Sequence, residues 1–389
     1  MMIPDYDFYP IIHTLVSASI SDNVITVNWS DGAKSLVIAM WLREYSPDES
    51  TFHPVTREQI ISLTDLPENL EATFVEVTED GFLRVIWAPG GHESRYHPGW
   101  LRAHSVESDA PLFELPAIKL MTRQPDSEAR VFDGKLMLDG STEIFTAWLE
   151  AIHSEGLGLL KNLPLKASLI PQIPEMIGSI RTSNFGNTFE VVSRPDANSN
   201  AYTALALEVH SDLATREYVP GLQFLFCLKN DADGGDSIVA DGFAVAEKLK
   251  SESAEFYEAL SSIPVSFGTK DKDSDYRFTA PIFEHDRDNN LTTVRHTYWL
   301  RSPMLGDIDT ITTFYAAYRR FQEIANSDDS QMRFRLNAGE LMAIDNRRML
   351  HGRSAFDPMS GERILRGCYS ERDELTSRLR ILARNAIKK

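Results

Sequence analysis

The chain has 389 residues, of which 42% are hydrophobic and 25% are charged, and its formal net charge is −18. This composition is typical of a globular protein with two domains or one large domain. Because an acidic surface attracts neither nucleic acid nor an anionic membrane, we expect neither as a partner.

The cysteine content and the N-terminal residues bear on the compartment. Cys227 and Cys368 are the two cysteines of the chain, and two thiols do not make a disulfide framework. The first residues are acidic and lack the basic segment of a secretory signal. No apolar run reaches the length that spans a bilayer. We therefore predict a cytoplasmic protein.

The first hundred residues have the pattern of a small β-rich domain. Strands are predicted at residues 24–29, 72–77 and 82–87. The sequences Ser30-Asp31-Gly32 and Glu79-Asp80-Gly81 are turn signals that predict two hairpins. We assign residues 1–105 to a β-rich N-terminal domain, and the acidic, proline-containing residues 106–125 to a linker.

The remaining residues, 126–389, alternate between predicted strands and helices. Helical spacing predicts helices at residues 141–155, 243–263 and 308–325. Strands are predicted at residues 188–193, 221–228, 237–240, 332–336, 340–344 and 364–369, with a hairpin around residues 288–290. Many short strands with a few helices outside favour a β-sandwich or barrel that can enclose a small site. We predict a mainly β fold with flanking helices.

One short stretch carries residues typical of a metal site. His210 and Asp212 lie two positions apart in Val209-His210-Ser211-Asp212-Leu213, and at the end of a strand such residues point to the same side of the sheet. Two histidines and one carboxylate form the facial triad that holds non-haem Fe(II) and leaves other coordination positions open. The spacing alone also fits a surface turn. A third ligand is available in His351, which lies near the end of a predicted strand and precedes Gly352, and Arg363 follows shortly after it.

Several longer stretches carry a resemblance to a known family. They are SNFGNTFEVVSRPDANSNAYTAL, HSDLATREYVPGLQFLFCL, GGDSIVADGF, IDNRRMLHGRSAFDP and GCYSERDEL, with WSDG, WLRE and YHPGWLRAH near the N-terminus. From Val24 to the C-terminus the chain resembles the γ-butyrobetaine hydroxylase family, within the taurine-dioxygenase-like group of Fe(II)/2-oxoglutarate oxygenases. The resemblance implies a double-stranded β-helix, or jelly roll, as the catalytic domain.

The resemblance also implies roles for the chemistry-bearing residues. His210, Asp212 and His351 would ligate Fe(II) and leave room for 2-oxoglutarate and O₂. Arg363 would pair with the distal carboxylate of 2-oxoglutarate, which Ser237 would share, since a guanidinium matches a carboxylate bidentately. The alternatives are a surface salt bridge for Arg363 and a turn hydroxyl for Ser237.

In this family a cage of aromatic side chains binds a trimethylammonium group. A quaternary cation has no N–H donor, so contact with ring faces is the main route to its recognition. The matching positions here are Phe185, Phe189, Tyr202 and Tyr369. For each ring singly, core packing is the alternative.

The chain departs from the family in its N-terminal domain. Family members typically carry zinc there, bound by three cysteines and a histidine. The cysteine positions here are Ser46, Asp48 and Thr51, while His92 remains. Because structural zinc needs thiolate or imidazole ligands, we expect no structural zinc of the family type. His53 and Asp48 leave an altered site open.

A second departure concerns the acid group of the substrate. We interpret Arg295 to Arg301 as a strand, in which Tyr298 stands at the position of a family asparagine and His296 replaces a less polar residue. These extra donors suit a phosphonate. The residues predicted to bind the acid group are Tyr298, His296, Asn200, Arg295 and Arg301. A relative within the resembled group hydroxylates 2-(trimethylammonio)ethylphosphonate at the carbon next to phosphorus, so the resemblance together with these donors implies that reaction.

Other functions stay open at this point. One alternative is hydroxylation of γ-butyrobetaine to carnitine, or of a trimethyllysine-like molecule. Another is an inactive relative that only binds a betaine, against which the intact triad and Arg363 argue. A zinc hydrolase lacks an evident general acid or base and leaves Arg363 unexplained. The resemblance further suggests a homodimer.

Overall fold

Two compact units make up the chain in the computed structural model. One contains residues 1–114 and 383–389, and the other contains residues 115–382. The structure describes residues 8–105, 115–121, 129–192 and 203–387. Most of the predicted linker, residues 106–125, lies outside the described part of the chain.

The N-terminal unit contains two three-stranded antiparallel sheets. The first sheet has β1 (Leu15–Ser21), β2 (Val24–Trp29) and β3 (Lys34–Ile38), and the second has β4 (Glu71–Val77), β5 (Leu83–Ala88) and β6 (Glu93–Tyr96). Short helices α1 (Ala39–Glu44) and α2 (Pro98–Ala103) follow the two sheets. Alternate residues of β2 and β5 are buried, so strand periodicity confirms the predicted strands and hairpins here.

The second unit is built around a larger sheet and a smaller one. The larger sheet contains β7 (Val131–Asp133), β8 (Leu157–Lys161), β9 (Ile180–Arg181), β10 (Phe189–Val191), β12 (Leu222–Asn230), β20 (Leu341–Asp345) and β23 (Arg363–Ser370). Its order is β10-β23-β12-β20-β8-β7, with β9 also paired to β23. The smaller sheet contains β11 (Leu207–His210), β14 (Ser237–Asp241), β19 (Gln331–Phe334) and β21 (Met349–Arg353), in the order β11-β21-β14-β19.

Three short strand pairs complete the β structure of the described residues. They are β13 (Asp233–Gly234) with β22 (Phe356–Asp357), β15 (Val265–Lys270) with β16 (Asp275–Ala280), and β17 (Phe283–His285) with β18 (Leu291–Val294). The helices of this part of the chain are α3 (Gly134–Leu138), α4 (Thr142–Glu155), α5 (Leu169–Ile177), α6 (Gly242–Glu252), α7 (Ala254–Ser262), α8 (Ile308–Ala325) and α9 (Arg372–Ile387).

Strand β12 shows how the larger sheet is buried on both faces. Phe224 and Phe226 pack with α4 and α5 on the outer face, whereas Leu225 and Cys227 belong to the core that the two sheets share. A strand buried on both sides is apolar at consecutive positions, which explains the continuous apolar run. Helices α6, α7 and α8 pack on the outer face of the smaller sheet. The prediction of a mainly β jelly roll with flanking helices is thereby confirmed.

Two predicted elements were wrong in detail. The helix predicted over residues 243–263 is two helices, because Ser253 has an extended backbone and its Oγ accepts a hydrogen bond from the Phe256 amide as the N-cap of α7. Residues 295–301 do not form the predicted strand, because β18 ends at Val294 and a 3₁₀ turn occupies residues 298–300.

Tertiary hydrogen bonds explain the second error. The Ser211 amide donates to the carbonyl of His296 at 2.7 Å, and the Thr297 hydroxyl donates to the carbonyl of Ser211 at 2.6 Å. The segment is therefore bound to the loop after β11 and does not extend the β17–β18 hairpin.

Of the helices in the described residues, none is long and apolar enough to cross a membrane.

Candidate active site

The three predicted metal ligands lie together. Strands β11 and β21 are antiparallel neighbours in which His210 is directly opposite His351, and the two ring centroids are 4.4 Å apart. Asp212 Oδ1 lies 3.3 Å from His210 Nε2 and 3.8 Å from His351 Nε2. One ligand atom from each residue lies within 4.8 Å of the others, and no other such group of three occurs among the described residues.

The hydrogen bonds of the triad leave its ligand atoms facing one another. His210 Nδ1 donates to the carbonyl of Glu208 at 2.9 Å, so Nε2 presents its lone pair to Asp212. A lone pair beside a carboxylate oxygen is repulsive unless a cation lies between them. The donor set of two imidazoles and one carboxylate therefore fits Fe(II), and three protein ligands leave coordination positions open.

Asp212 is positioned by residues on three other segments. The side chain of Asn346 accepts a hydrogen bond from the Asp212 amide at 2.9 Å and donates to the Asp212 carbonyl at 3.2 Å. Asp212 Oδ2 accepts hydrogen bonds from the Tyr369 hydroxyl, at 2.7 Å, and from Gln223 Nε2. Oδ1 is the oxygen that faces both histidines. Sequence reasoning missed Asn346 and Gln223, although a glutamine inside an apolar strand is a signal, since a buried amide needs a partner.

Electrostatics favour the ligating forms of the triad. Burial acts to raise the pKa of Asp212, but His351 and His210 outweigh burial and hold that pKa well below its usual range. Burial lowers the pKa of His351 to about 4, so its imidazole is neutral at pH 7. An ionised carboxylate and a neutral imidazole are the protonation states that bind a metal ion.

A cavity of about 440 Å³ opens beside the triad. The predicted site residues that line it are His210, Asp212, His351, Ser237, Arg363, Phe185, Phe189 and Tyr369. Tyr202 and Asn200 lie outside the described residues. Trp299 and Arg353 also line the cavity and were not predicted. Trp299 contacts His210 edge to face, with 4.7 Å between the ring centroids.

One end of the cavity carries buried cationic side chains. Arg363 is 7% exposed, and no described residue accepts a hydrogen bond from its Nε atom. Gly235 leaves room for this side chain, since a Cβ there would lie 2.9 Å from Arg363 Nε. Ser237 pairs in register with Arg353, whose guanidinium donates to the carbonyls of Thr203 and Leu205. Burial lowers the pKa of Arg353 to about 10 and also lowers the pKa of Arg363. An arginine guanidinium stays protonated in proteins, so both side chains are cations. Arg363 and Ser237 could therefore hold a dicarboxylate.

Aromatic rings form another part of the cavity wall. Phe189 stacks on Tyr369 with 5.0 Å between centroids, and Phe185 lies 6.4 Å from Phe189. Gly367 is opposite Phe189 in the sheet and allows this close approach, because a Cβ there would meet the Phe189 ring at 2.5 Å. Phe185 is 39% exposed, which does not fit core packing for that ring.

The four described residues that were predicted to bind the acid group do not line the cavity. Arg295 is buried and donates to Glu284 and to backbone carbonyls. His296 is buried, and its Nδ1 lies 2.9 Å from the Tyr318 hydroxyl. Arg301 lies over the rings of α8, and Tyr298 is 40% exposed. The turn at residues 298–300 replaces the strand that would have aligned these side chains.

The N-terminal unit contains a different histidine–aspartate cluster at the family's zinc position. Asp48 Oδ2 accepts hydrogen bonds from His92 Nε2 at 2.9 Å and from the Ser46 hydroxyl at 2.5 Å. Thr51 accepts a hydrogen bond from Arg43, and His53 caps its own loop by accepting the amides of residues 55 and 56. One imidazole among hydroxyls and a carboxylate does not fit tetrahedral zinc.

An open-faced cluster of two histidines and one carboxylate, with a buried arginine for a dicarboxylate in the same cavity, meets the needs of an Fe(II)/2-oxoglutarate-dependent dioxygenase. This chain is an enzyme of that class. It belongs to the taurine catabolism dioxygenase TauD, TfdA family, whose model matches residues 120–369. A second model, gamma-butyrobetaine hydroxylase-like, N-terminal, matches residues 16–105.

Individual relatives cover nearly the whole chain. A gamma-butyrobetaine dioxygenase from Pseudomonas sp. (strain AK-1) is 42% identical over 385 residues, which are 98% of this chain and 100% of that protein. The gamma-butyrobetaine dioxygenase of Homo sapiens is 27% identical and covers 92% of this chain and 94% of its own length. A trimethyllysine dioxygenase from Meyerozyma guilliermondii is 26% identical, covering 95% of this chain and 96% of that protein.

Proposed function

We propose that this enzyme hydroxylates γ-butyrobetaine to carnitine, using Fe(II), 2-oxoglutarate and O₂. The observation that carries the proposal is the presence of Phe185, Phe189 and Tyr369 in the same cavity as the metal triad. Ring faces attract a cation that cannot donate hydrogen bonds, so such a wall suits a trimethylammonium group. Similarity to dioxygenases named for γ-butyrobetaine over nearly the full chain supports the same substrate.

In this proposal the chain's own residues divide the work of positioning. His210, Asp212 and His351 hold Fe(II), while Arg363 and Ser237 bind the distal carboxylate of 2-oxoglutarate. The iron, 2-oxoglutarate and O₂ together convert a substrate C–H into C–OH, as 2-oxoglutarate becomes succinate and CO₂. The aromatic wall fixes one end of the substrate, so that one carbon faces the triad.

A carboxylate substrate is preferred over the phosphonate for a structural reason. The phosphonate hypothesis depended on extra donors from Tyr298, His296, Asn200, Arg295 and Arg301. Asn200 lies outside the described residues, and the other four do not line the cavity. The four described donors therefore give no reason to prefer an acid group with three oxygens. The three relatives described above are named for γ-butyrobetaine or trimethyllysine.

A competition assay tests the substrate. The purified enzyme is given equal concentrations of γ-butyrobetaine and 2-(trimethylammonio)ethylphosphonate, with trimethyllysine as a third arm, and all hydroxylated products are quantified. We expect carnitine to dominate. Tyr298→Asn is a matched control outside the cavity and should leave the product ratio unchanged. A larger yield from the phosphonate or from trimethyllysine would overturn the γ-butyrobetaine proposal.

We also propose the organisation of the full protein. Residues 1–105 would be the β-rich N-terminal domain, and residues 126–389 the dioxygenase domain. The homodimer suggested by the family resemblance is part of the same proposal. Analytical ultracentrifugation of the full chain checks the oligomeric state, and a monomer would contradict the proposed homodimer.

A further inference from the structure

We infer that Tyr369 couples binding of the substrate's cation to binding of the metal. The inference rests on the proposed function, because it takes the aromatic wall as the site of a quaternary ammonium group. Tyr369 is buried, with 3% of its surface exposed, and it lines the cavity. Its ring belongs to the aromatic wall, while its hydroxyl belongs to the hydrogen bonds of Asp212. One side chain therefore joins the two sites.

The geometry separates the two parts of this side chain. The ring stacks on Phe189 with an interplanar angle of 30°. The hydroxyl donates to Asp212 Oδ2 at 2.7 Å, whereas Oδ1 faces His210 and His351. The hydroxyl thus holds the outer oxygen of the carboxylate and turns the other oxygen toward the metal position. Tyr369 is a positioning residue for Asp212.

A second donor on the same oxygen provides an internal comparison. Gln223 is directly opposite Tyr369 in the β12–β23 register, and its Nε2 also donates to Asp212 Oδ2. Both residues hold the carboxylate in the same orientation. Gln223 has no aromatic ring, so a cation bound at the aromatic wall cannot polarise its side chain as it would polarise the Tyr369 ring.

A cation against a phenol ring alters the hydroxyl group. The cation draws electron density from the ring, which makes the O–H a stronger hydrogen-bond donor, and at low local dielectric this polarisation is weakly screened. A stronger bond to Oδ2 holds Asp212 more firmly in its ligating orientation. Because coupling between two binding sites is reciprocal, the metal in turn tightens binding of the cation by the same factor.

The experiment measures metal affinity without turnover. The full-length protein is titrated with Mn(II) in the presence of 2-oxoglutarate and the absence of O₂, with and without γ-butyrobetaine, and with tetramethylammonium as a probe that carries only the cation. In the wild-type protein we expect γ-butyrobetaine to tighten Mn(II) binding about 5-fold or more, the lower range of allosteric coupling.

Two variants separate coupling from orientation. Tyr369→Phe keeps the ring and removes the hydroxyl, so Mn(II) binding should weaken about 10-fold or more and the effect of γ-butyrobetaine on it should vanish. Gln223→Leu should weaken Mn(II) binding to a similar extent but keep the effect of γ-butyrobetaine. Thermal unfolding of both variants without metal checks that each is folded, and Gln223→Met replaces Gln223→Leu if the latter is not.

The outcomes distinguish this inference from the proposed function. Coupling that persists in Tyr369→Phe, or that disappears equally in the Gln223 variant, overturns the role of Tyr369. If γ-butyrobetaine fails to bind the wild-type protein but tetramethylammonium binds and tightens Mn(II), the substrate proposal fails and the coupling stands. If neither compound affects Mn(II) binding in the wild-type protein, the coupling is wrong.

Discussion

Histidine and aspartate meet in both units of the chain, but the two clusters are completed in different ways. In the N-terminal unit, Asp48 accepts hydrogen bonds on both oxygens, from Ser46, Ser50 and His92. In the second unit, Asp212 has hydrogen-bond donors on Oδ2, while Oδ1 faces two imidazole nitrogens. Both carboxylate oxygens of Asp48 therefore have hydrogen-bond donors within the N-terminal cluster. Asp212 Oδ1 and the two imidazole nitrogens instead need a cation between them.

The difference shows that a histidine beside a carboxylate does not by itself make a metal site. His92 must donate its Nε2–H to Asp48, because a carboxylate oxygen can only accept. His210 instead donates through Nδ1 to a backbone carbonyl and presents its Nε2 lone pair to the cluster. The ring nitrogen that carries the donated N–H therefore decides the role of the histidine. When Nε2–H donates to the carboxylate, as in His92, the histidine makes a structural hydrogen bond, and when Nε2 keeps its lone pair, as in His210, the histidine can be a metal ligand.

The largest expected effect comes from removing the carboxylate of the second cluster. Asp212→Ala takes away the only anionic member of the triad. Fe(II)-dependent succinate formation with γ-butyrobetaine should therefore fall by more than about 100-fold, which exceeds the loss caused by changing a residue that only hydrogen-bonds to a metal ligand. Asp48→Ala is the matched variant in the other cluster and should keep wild-type turnover. Substantial activity in Asp212→Ala would contradict the metal site, and equal losses in both variants would remove the distinction between the clusters.

The next effect concerns the buried Arg363 side chain of the cavity. Arg363→Met removes a buried cation whose Nε has no acceptor in the described chain, so the KM for 2-oxoglutarate should rise about 30-fold or more, as for a lost partner in a buried charge pair. The kcat at saturating 2-oxoglutarate should change less.

Arg333→Met provides the control for this change, because Arg333 is an arginine with a mostly exposed side chain on β19. Steady-state kinetics at varied 2-oxoglutarate concentration give both constants. An unchanged KM in Arg363→Met would assign Arg363 a purely structural role, such as its contact with the Phe356 ring.

Local patterns predicted much of the fold and pointed to two of the three metal ligands, whereas the third, His351, is distant in sequence and was assigned by the family resemblance. His210 and Asp212 are two positions apart, and the strand that became β12 is a continuous apolar run. The end of β18 was not predictable in this way. Whether the chain continues as a strand after Val294 depends on the hydrogen bonds between Ser211 and residues 296 and 297, which no local pattern contains.

The same reason explains why the hydrogen bonds to the Asp212 carboxylate escaped prediction. Gln223 and Tyr369 meet at one oxygen only because β12 and β23 are neighbours in a particular register. The break between α6 and α7 at residue 253 was missed for a different reason. Ser253 is a good N-cap, but serine also occurs within helices, and only the bond from the Phe256 amide distinguishes the two uses.

The smallest effect is expected in the N-terminal cluster and has a defined pH dependence. Burial acts to raise the pKa of Asp48, but hydrogen bonds from Ser46, Ser50 and His92 outweigh it and lower that pKa below 3.8. A carboxyl whose pKa is lower in the folded than in the unfolded chain stabilises the fold above the unfolded value, and this contribution is lost as pH falls through the folded value. Asp48→Asn should therefore reduce the free energy of unfolding by about 1 kcal/mol at pH 7, since the group is partly exposed. The difference from the wild type should persist at pH 5 and shrink at pH 3.

Urea unfolding of the full chain, followed by tryptophan fluorescence at these three pH values, measures that difference. Each titration is repeated with EDTA, which should remove Fe(II)-dependent activity and leave the difference between wild type and Asp48→Asn unchanged. The reason is that Asp48 and His92 bond directly to each other, at 2.9 Å, and need no ion between them. A contrary result would be that EDTA lowers the free energy of unfolding of the wild type but not of Asp48→Asn. Both clusters would then be metal sites, and the direction of the His92 N–H bond would not distinguish them.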